Sequence, residues 1–458
     1  MSTAVQVQIK EQANGAERYA ERVNPAWVRL LSLLEMNVRY ERCVGADLFT
    51  SDGRRILDFL SGYCVHNIGH NHPDVVAALQ EELGRCGPAM IQTHVADLAG
   101  ELAEQLCQRA GGRLQRAFFC SSGSEGVEAA IKFARVYTRR AGILSAEHAF
   151  HGLTCGALSL MSDSYWRDGF GPLLPQTSTV PFGDLESLDR ELKSKRFAAF
   201  IVEPIQSEAG VCVPDRNYLR SAESLCRRYG TLFVLDEVQT GMYRTGPFLA
   251  AHSFGVEPDM VVLAKAMSGG LVPCGAVFMS EAICDSVYSS VPRAFVHTST
   301  FSENSLAMRA ALATLEVLER EQLGARSIAA GEYLRVRLSE ALSEFEIVKE
   351  VRGAGLLMGI EFQPPRQLKL RIPYEAFSAI HAGMFGQIVV MRLFRDAGFL
   401  TQICGNNFMV LKVAPPLVVN DSQLDAFVAA IRGVVEFANS PGAFWSEALG
   451  LAKRAFRL

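Results

Sequence analysis

Between Arg116 and Met279 the chain keeps returning to one rhythm: a short apolar run, a glycine or polar break, then a longer stretch with apolar side chains at helical spacing. "RAFFC", residues 116–120, leads through a glycine turn into "VEAAIKFARVYTRR", where Val127, Ala130, Ile131 and Ala134 fall on one helix face. "AAFIVEP", "TLFVLDE", "DMVVLAK" and "CGAVFMS" repeat the strand half of the rhythm, with the helix "NYLRSAESLCRRYG" between the first two. Nearly continuous apolar strands separated by helices predict a mainly parallel sheet covered on both faces. The α/β domain so defined is expected over residues 61–325.

The flanks follow other patterns. The first forty residues, with "NPAWVRLLSLLEMNVRY", are predicted helical, and "ADLFTSDGRRILDFLSG" reads as two short strands around the hairpin dipeptide Asp52–Gly53. Helical spacing resumes from Val75 to Gly111, with a break between Gly84 and Pro88. A single long helix is predicted over "SLAMRAALATLEVLEREQLGARSIAAGEYLRVRLSEAL". Beyond it, "IVKEVRGAGLLMGIEF" and "FMVLKVAPPLVV" predict strands of a smaller α+β domain over residues 326–458, to which residues 1–60 are expected to contribute.

Composition narrows the function. A formal charge of −4, from 45 basic and 49 acidic residues, leaves no positive surplus for nucleic acid. No apolar run approaches the roughly 18 residues of a membrane span, and the first residues lack the apolar core of a signal peptide. Eleven cysteines without a CxxC pair argue for a reducing compartment, so the cytoplasm is expected.

Three stretches carry candidate chemistry. Ser121, Ser122, Gly123 and Ser124 stand between a strand and a helix, where hydroxyls and unpaired amides converge at the positive end of the helix dipole. That suits a phosphate, although a simple serine N-cap would look the same. The spacing is that of neither GxGxxG nor a Walker A loop, which disfavours NAD and ATP. Lys265 directly follows the apolar run "MVVL". A solvated strand terminus is the plainer reading, but in a buried setting desolvation favours the neutral amine and makes it a nucleophile for a carbonyl. Asp236 ends "LFVLD" and is either a strand-end acid in solvent or an inward anion for a protonated ring nitrogen. Acid, phosphate cradle and nucleophilic lysine together specify pyridoxal phosphate. His66, His70 and His72 in "HNIGHNHP" lack the further acid or cysteine cluster that a metal would need, so no metal site is expected.

"SSGSEGVEAAIKFAR", "EHAFHGLTCGAL", "VEPIQSEAGV", "LDEVQTGMYRTG", "LAKAMSGG", "HTSTFSENSLA" and "VAPPL" occur in the same order as the landmarks of the class III pyridoxal-phosphate aminotransferases, and the chain resembles that family from about Asn24 to Asn439. The resemblance implies a fold-type-I architecture, with a mainly parallel seven-stranded sheet in the large domain and a smaller α+β domain. It implies that Lys265 forms the Schiff base and shuttles a proton, and that Asp236 pairs with the ring nitrogen. Val238 is implied behind the ring, Gln239 near its 3-hydroxyl, Phe150 on the opposite face with His151 beside it, and Ser122, Gly123 and Ser124 at the phosphate. Thr300 is implied to reach the phosphate of a neighbouring subunit in a homodimer with shared active sites.

Substrate contacts implied by the resemblance involve Tyr63, Leu153, Glu208, Glu303 and Lys412. Ornithine-like members carry an arginine for the substrate α-carboxylate where this chain has Leu153, which offers no donor. A second arginine, paired in those enzymes with the acid matched by Glu208, is replaced by Lys412, which keeps the charge but loses the two-pronged fork. Glu303 stands where a small residue is common and is either an acid that attracts a distal ammonium group or, the favoured reading, a rim acid with no substrate role. Tyr243, where many relatives have glycine, is expected to line or crowd the substrate entrance. The implied donor is an amine, diamine or ω-amino compound, and the acceptor a carbonyl compound such as a 2-oxo acid. A racemase or aminomutase would use nearly the same cofactor shell, and a non-catalytic scaffold would sit poorly with Lys265 and Asp236 both present.

Overall fold

The computed structural model describes residues 15–91, 93–378, 383–440, 442 and 444–445. Near the N-terminus the helices Gly15–Arg22 and Pro25–Leu33 give way to β1 (Tyr40–Val44), so the predicted helical segment ends earlier than its apolar spacing suggested. β2 (Asp47–Thr50) and β3 (Arg55–Asp58) pair antiparallel around Asp52–Gly53.

The central sheet contains β4 (Arg116–Cys120), β5 (Gly142–Ala146), β6 (Thr177–Val180), β7 (Phe197–Val202), β8 (Leu232–Asp236), β9 (Met260–Leu263) and β10 (Gly275–Met279). Their spatial order is β4-β10-β9-β8-β7-β5-β6, and only β10 runs against its neighbours. β7, β8 and β9 are buried along their whole length, which is why they appear in the sequence as unbroken apolar runs. β5 and β6 had no such signal: β5 mixes glycine, serine and alanine with two aliphatics, and β6 is a short, half-buried edge strand of mostly hydroxyl residues. The helix Gly123–Thr138 buries Val127, Ala130, Ile131 and Ala134, the face its spacing predicted.

The single long helix predicted after Asn304 is two helices, Ser305–Arg320 and Leu323–Leu342. Gln322 adopts φ 51°, ψ 40°, a left-handed backbone that interrupts the i to i−4 ladder. Helical periodicity continues on both sides of this break, so spacing alone did not reveal it.

β11 (Val348–Ala354), β12 (Leu357–Phe362), β13 (Phe399–Leu400), β14 (Gln402–Ile403) and β15 (Val410–Val413) complete the strands, and a third sheet has the order β11-β12-β15-β14. β13 instead pairs parallel to β3, placing Phe399 beside Leu57, and so ties the N-terminal hairpin to residues far along the chain. None of the described helices is long and apolar enough to cross a membrane.

Candidate active site

Parallel strands that enter turns on the same side leave their carboxyl ends around a common crevice, the usual ligand position in an open α/β sheet. Here the crevice is a cavity of about 580 Å³, lined by residues that follow β4, β5, β7, β8 and β9. Ser122, Gly123, Ser124, Phe150, His151, Asp236, Val238, Gln239 and Lys265, all singled out from the sequence, line it together.

Asp236 ends β8 and is almost fully buried. Its Oδ2 lies 2.8 Å from His151 Nδ1, and its Oδ1 accepts from the Val238 amide at 3.1 Å. Burial opposes a charged ring on His151, but the hydrogen bond and charge of Asp236, joined by the charge of Glu203, outweigh it and raise its pKa. The other acid of the pair, Glu237, points elsewhere: it accepts from the amides of Ala250 and Ala251 and from the Thr240 hydroxyl. Its carboxyl is pushed up to about 7 by burial.

Lys265 follows β9 by two residues and begins a short 3-10 turn with φ 48°. It is half-buried, and desolvation lowers its pKa against the opposing charges of Glu208 and Asp236. The amine is thereby biased toward its nucleophilic form.

At the first turn of the helix Gly123–Thr138, Ser122 is an N-cap, accepting from the Glu125 amide at 3.3 Å. The plain reading of this serine and the phosphate reading coexist, because one cap leaves other first-turn amides free. Gly123 is required by close approach: a Cβ there would come within 2.9 Å of Val238 Cγ2. Gly152, at φ +115°, similarly abuts the Ser124 side chain.

Lys412 is fully buried and ion-paired with Glu208, which also accepts from Gln239 Nε2 at 3.2 Å and the Gly405 amide at 2.8 Å. Burial opposes the charge on Lys412, but the Glu208 carboxylate overcomes it and raises its pKa. The Tyr63 ring centre lies 5.3 Å from Lys412 Nζ. Leu153 is 55% exposed and outside the cavity lining, and Thr300, also exposed, does not line it within this chain. Glu303 borders a separate cavity near Arg309 and His94.

One reading changes on this geometry. Tyr243 does not line the cavity; its hydroxyl points to Glu319 at 3.4 Å on another face, with Met242 and Tyr243 both in left-handed backbone. His66 and His70 stack with ring centres 3.8 Å apart, while His70 Nε2 meets Asp58 Oδ2 at 2.7 Å and His72 Nε2 meets Glu321 at 3.1 Å.

Sequence reasoning missed Glu203. It follows β7, is buried, lines the cavity, and accepts from the Phe150 amide at 3.0 Å and the Ser207 amide at 3.1 Å. The signal was present, since "FIVEP" places a carboxylate after an apolar strand just as "FVLDE" does.

A sheet whose strand ends gather an anion, a half-buried lysine and a helix N-terminus has the fold-type-I architecture of pyridoxal-phosphate enzymes. The chain belongs to the class-III aminotransferase family, whose model matches residues 32–435. It is 34% identical to the aminotransferase PigE of Serratia sp., covering 92% of this chain and 53% of that protein. It is 37% identical to the putrescine aminotransferase of Pectobacterium atrosepticum, covering 86% of this chain and 81% of that protein. A solved (S)-enantioselective omega-transaminase from Thermomicrobium roseum superposes with a TM-score of 0.81 at 28% identity, covering 93% and 98% of the two chains. The chain thus spans about half the length of the first of these relatives.

The cavity fits the family's cofactor, pyridoxal phosphate. His151 Nε2 and Gln239 Oε1 are buried on its wall without hydrogen-bond partners among the described residues, as expected of groups that face a polar ligand.

Proposed function

We propose that the protein is a pyridoxal-phosphate-dependent aminotransferase that moves an amino group from an amine, diamine or ω-amino compound to a carbonyl acceptor such as a 2-oxo acid. The observation that carries the donor class is the absence of a fork for an α-carboxylate: Leu153 has no donor, and Lys412 is held by Glu208. The 37% identity to a putrescine aminotransferase supports the same class.

Lys265 is the nucleophile that holds the cofactor and the base that moves the substrate proton. Asp236 would meet the ring nitrogen and hold a proton there, and Phe150 and Val238 would cover the ring faces. Gln239 would meet the ring hydroxyl, while Ser122, Gly123 and Ser124 would receive the phosphate. When bound, pyridoxal phosphate supplies the electron sink for breaking the substrate C–H bond. Burial then lets the fixed charges act in a low dielectric.

The assembly inferred here is a homodimer in which Thr300 reaches the partner's phosphate. Residues 61–325 are inferred to be the cofactor-binding domain, with 1–60 and 326–458 forming the smaller one, a division supported by the pairing of β3 with β13. Eleven free cysteines support a cytoplasmic location.

Both half-reactions should be measured with putrescine, ω-amino acids, ornithine and glutamate as donors. Efficient turnover is expected with the first two groups and requires a second carbonyl substrate. Exclusive use of an α-amino acid would overturn the donor class, and turnover without a carbonyl partner would overturn transamination.

A further inference from the structure

The cavity wall carries a second buried carboxylate that the proposed reaction does not use. Glu203, which follows β7, lines the same cavity as His151 and Asp236, so ionisable groups presented after β5 and β7 and at the end of β8 share one wall, and Glu203 and His151 feel each other's charge. The two Glu203 oxygens hold the amides of Phe150 and Ser207, which fixes the backbone that presents His151.

We propose that Glu203 is a positioning residue that sets the protonation of the His151–Asp236 pair, and through it the charge offered to the cofactor's ring nitrogen. The proposal rests on the reading of Asp236 as the ring-nitrogen partner.

The electrostatics run in one direction. An anion beside His151 favours its charged ring, and a charged ring hydrogen-bonded to Asp236 favours the ionised carboxylate. Burial pushes the Glu203 carboxyl up to about 7, opposed by the charge of His151 and reinforced by Asp236. Glu203 therefore gains its charge near neutrality, and His151 is held by one anion below that pH and by two above it. Other groups in this field are Lys265 and Glu237, which both feel Asp236, and Cys212, whose thiol is raised by burial, against the charge of Arg352, and further by Glu361 and Glu203. Because the sites interact, His151 should titrate in two macroscopic steps.

The test is an NMR titration of the histidine ring nitrogens in cofactor-free full-length protein, with His151 assigned by comparison with His151→Asn. In the unsubstituted protein the His151 signal is expected to show two inflections. Glu203→Gln should remove the inflection near neutrality and lower the His151 midpoint by about one pH unit or more, whereas Glu203→Asp, which keeps the charge, should retain both steps. A single inflection in the unsubstituted protein, or an unchanged midpoint in Glu203→Gln, would overturn the proposal.

A second readout is the pyridoxal phosphate dissociation constant at pH 6 and pH 8. Glu203→Gln should weaken binding more at pH 8 than at pH 6; an equal loss at both would reduce Glu203 to a backbone anchor. If the NMR steps appear while the protein binds no pyridoxal phosphate, the cofactor reading fails and the Glu203–His151 coupling stands.

Discussion

Lys412 and Glu208, 204 residues apart in sequence, form an ion pair with the lysine fully removed from solvent. Breaking such a pair from one side leaves an uncompensated buried charge. Lys412→Met is therefore expected to cost about 3–5 kcal/mol in the urea unfolding of the cofactor-free protein. Lys412→Met with Glu208→Gln should recover most of that loss.

The same pair makes a prediction about specificity. Leu153→Arg together with Lys412→Arg introduces the two guanidinium forks this chain lacks. A charge-assisted hydrogen bond contributes about 1.5–3 kcal/mol, so KM for glutamate should fall by roughly tenfold or more. An unchanged KM, with the protein folded, would mean that carboxylates are received elsewhere.

Arg244 is fully buried, and among the described residues its guanidinium is hydrogen-bonded to carbonyl, hydroxyl and amide oxygens rather than to a carboxylate. Its guanidinium donates to Leu356 O at 3.0 Å, Pro415 O at 2.5 Å, Ser61 Oγ at 3.2 Å and Asn67 Oδ1 at 2.5 Å, stitching three distant segments together. Arg244→Ala leaves buried acceptors unpaired and opens a void, and should destabilise the protein by about 3–5 kcal/mol. Differential scanning calorimetry would register it as a large drop in Tm.

Gly123→Ala should weaken pyridoxal phosphate binding, because its new methyl group would collide with Val238 at 2.9 Å. Val238→Ala in the same chain should restore part of the affinity. Failure of that rescue would place the cost in the helix N-terminus itself, and fluorescence titration of the cofactor distinguishes the outcomes.

Glu237 predicts a pH dependence. Its folded pKa, about 7, lies above the unfolded value near 4.3, so the folded state keeps a proton that the unfolded chain releases. Its contribution to stability is full below about pH 4 and is lost as pH rises through about 7. Glu237→Gln should flatten the fall in stability between pH 5 and pH 8, a change of up to about 3 kcal/mol at roughly 1.4 kcal/mol per unit. Urea midpoints at the two pH values measure it.

The large sheet was legible where strands are buried on both faces, because β7, β8 and β9 write their environment into unbroken apolar runs. β5 and β6 escaped for the opposite reason: small and hydroxyl side chains carry little hydrophobic signal. The break at Gln322 and the outward turn of Tyr243 are single backbone conformations in the left-handed region. Neither residue type announces that geometry as glycine would.

The chain alone carries the strand and helix rhythm, the carboxylate and the lysine placed at strand ends, the serine-rich helix start, and a leucine and a lysine at positions 153 and 412. Those properties are local, set by side-chain chemistry and by burial periodicity. Folding alone brings His151 to Asp236 across 85 residues, sets Glu203 on the same cavity wall, and locks Glu208 with Lys412. Such partnerships depend on which parallel strands become neighbours and in what register. Crossover connections through helices fix that order in space, and no single stretch of the chain records it.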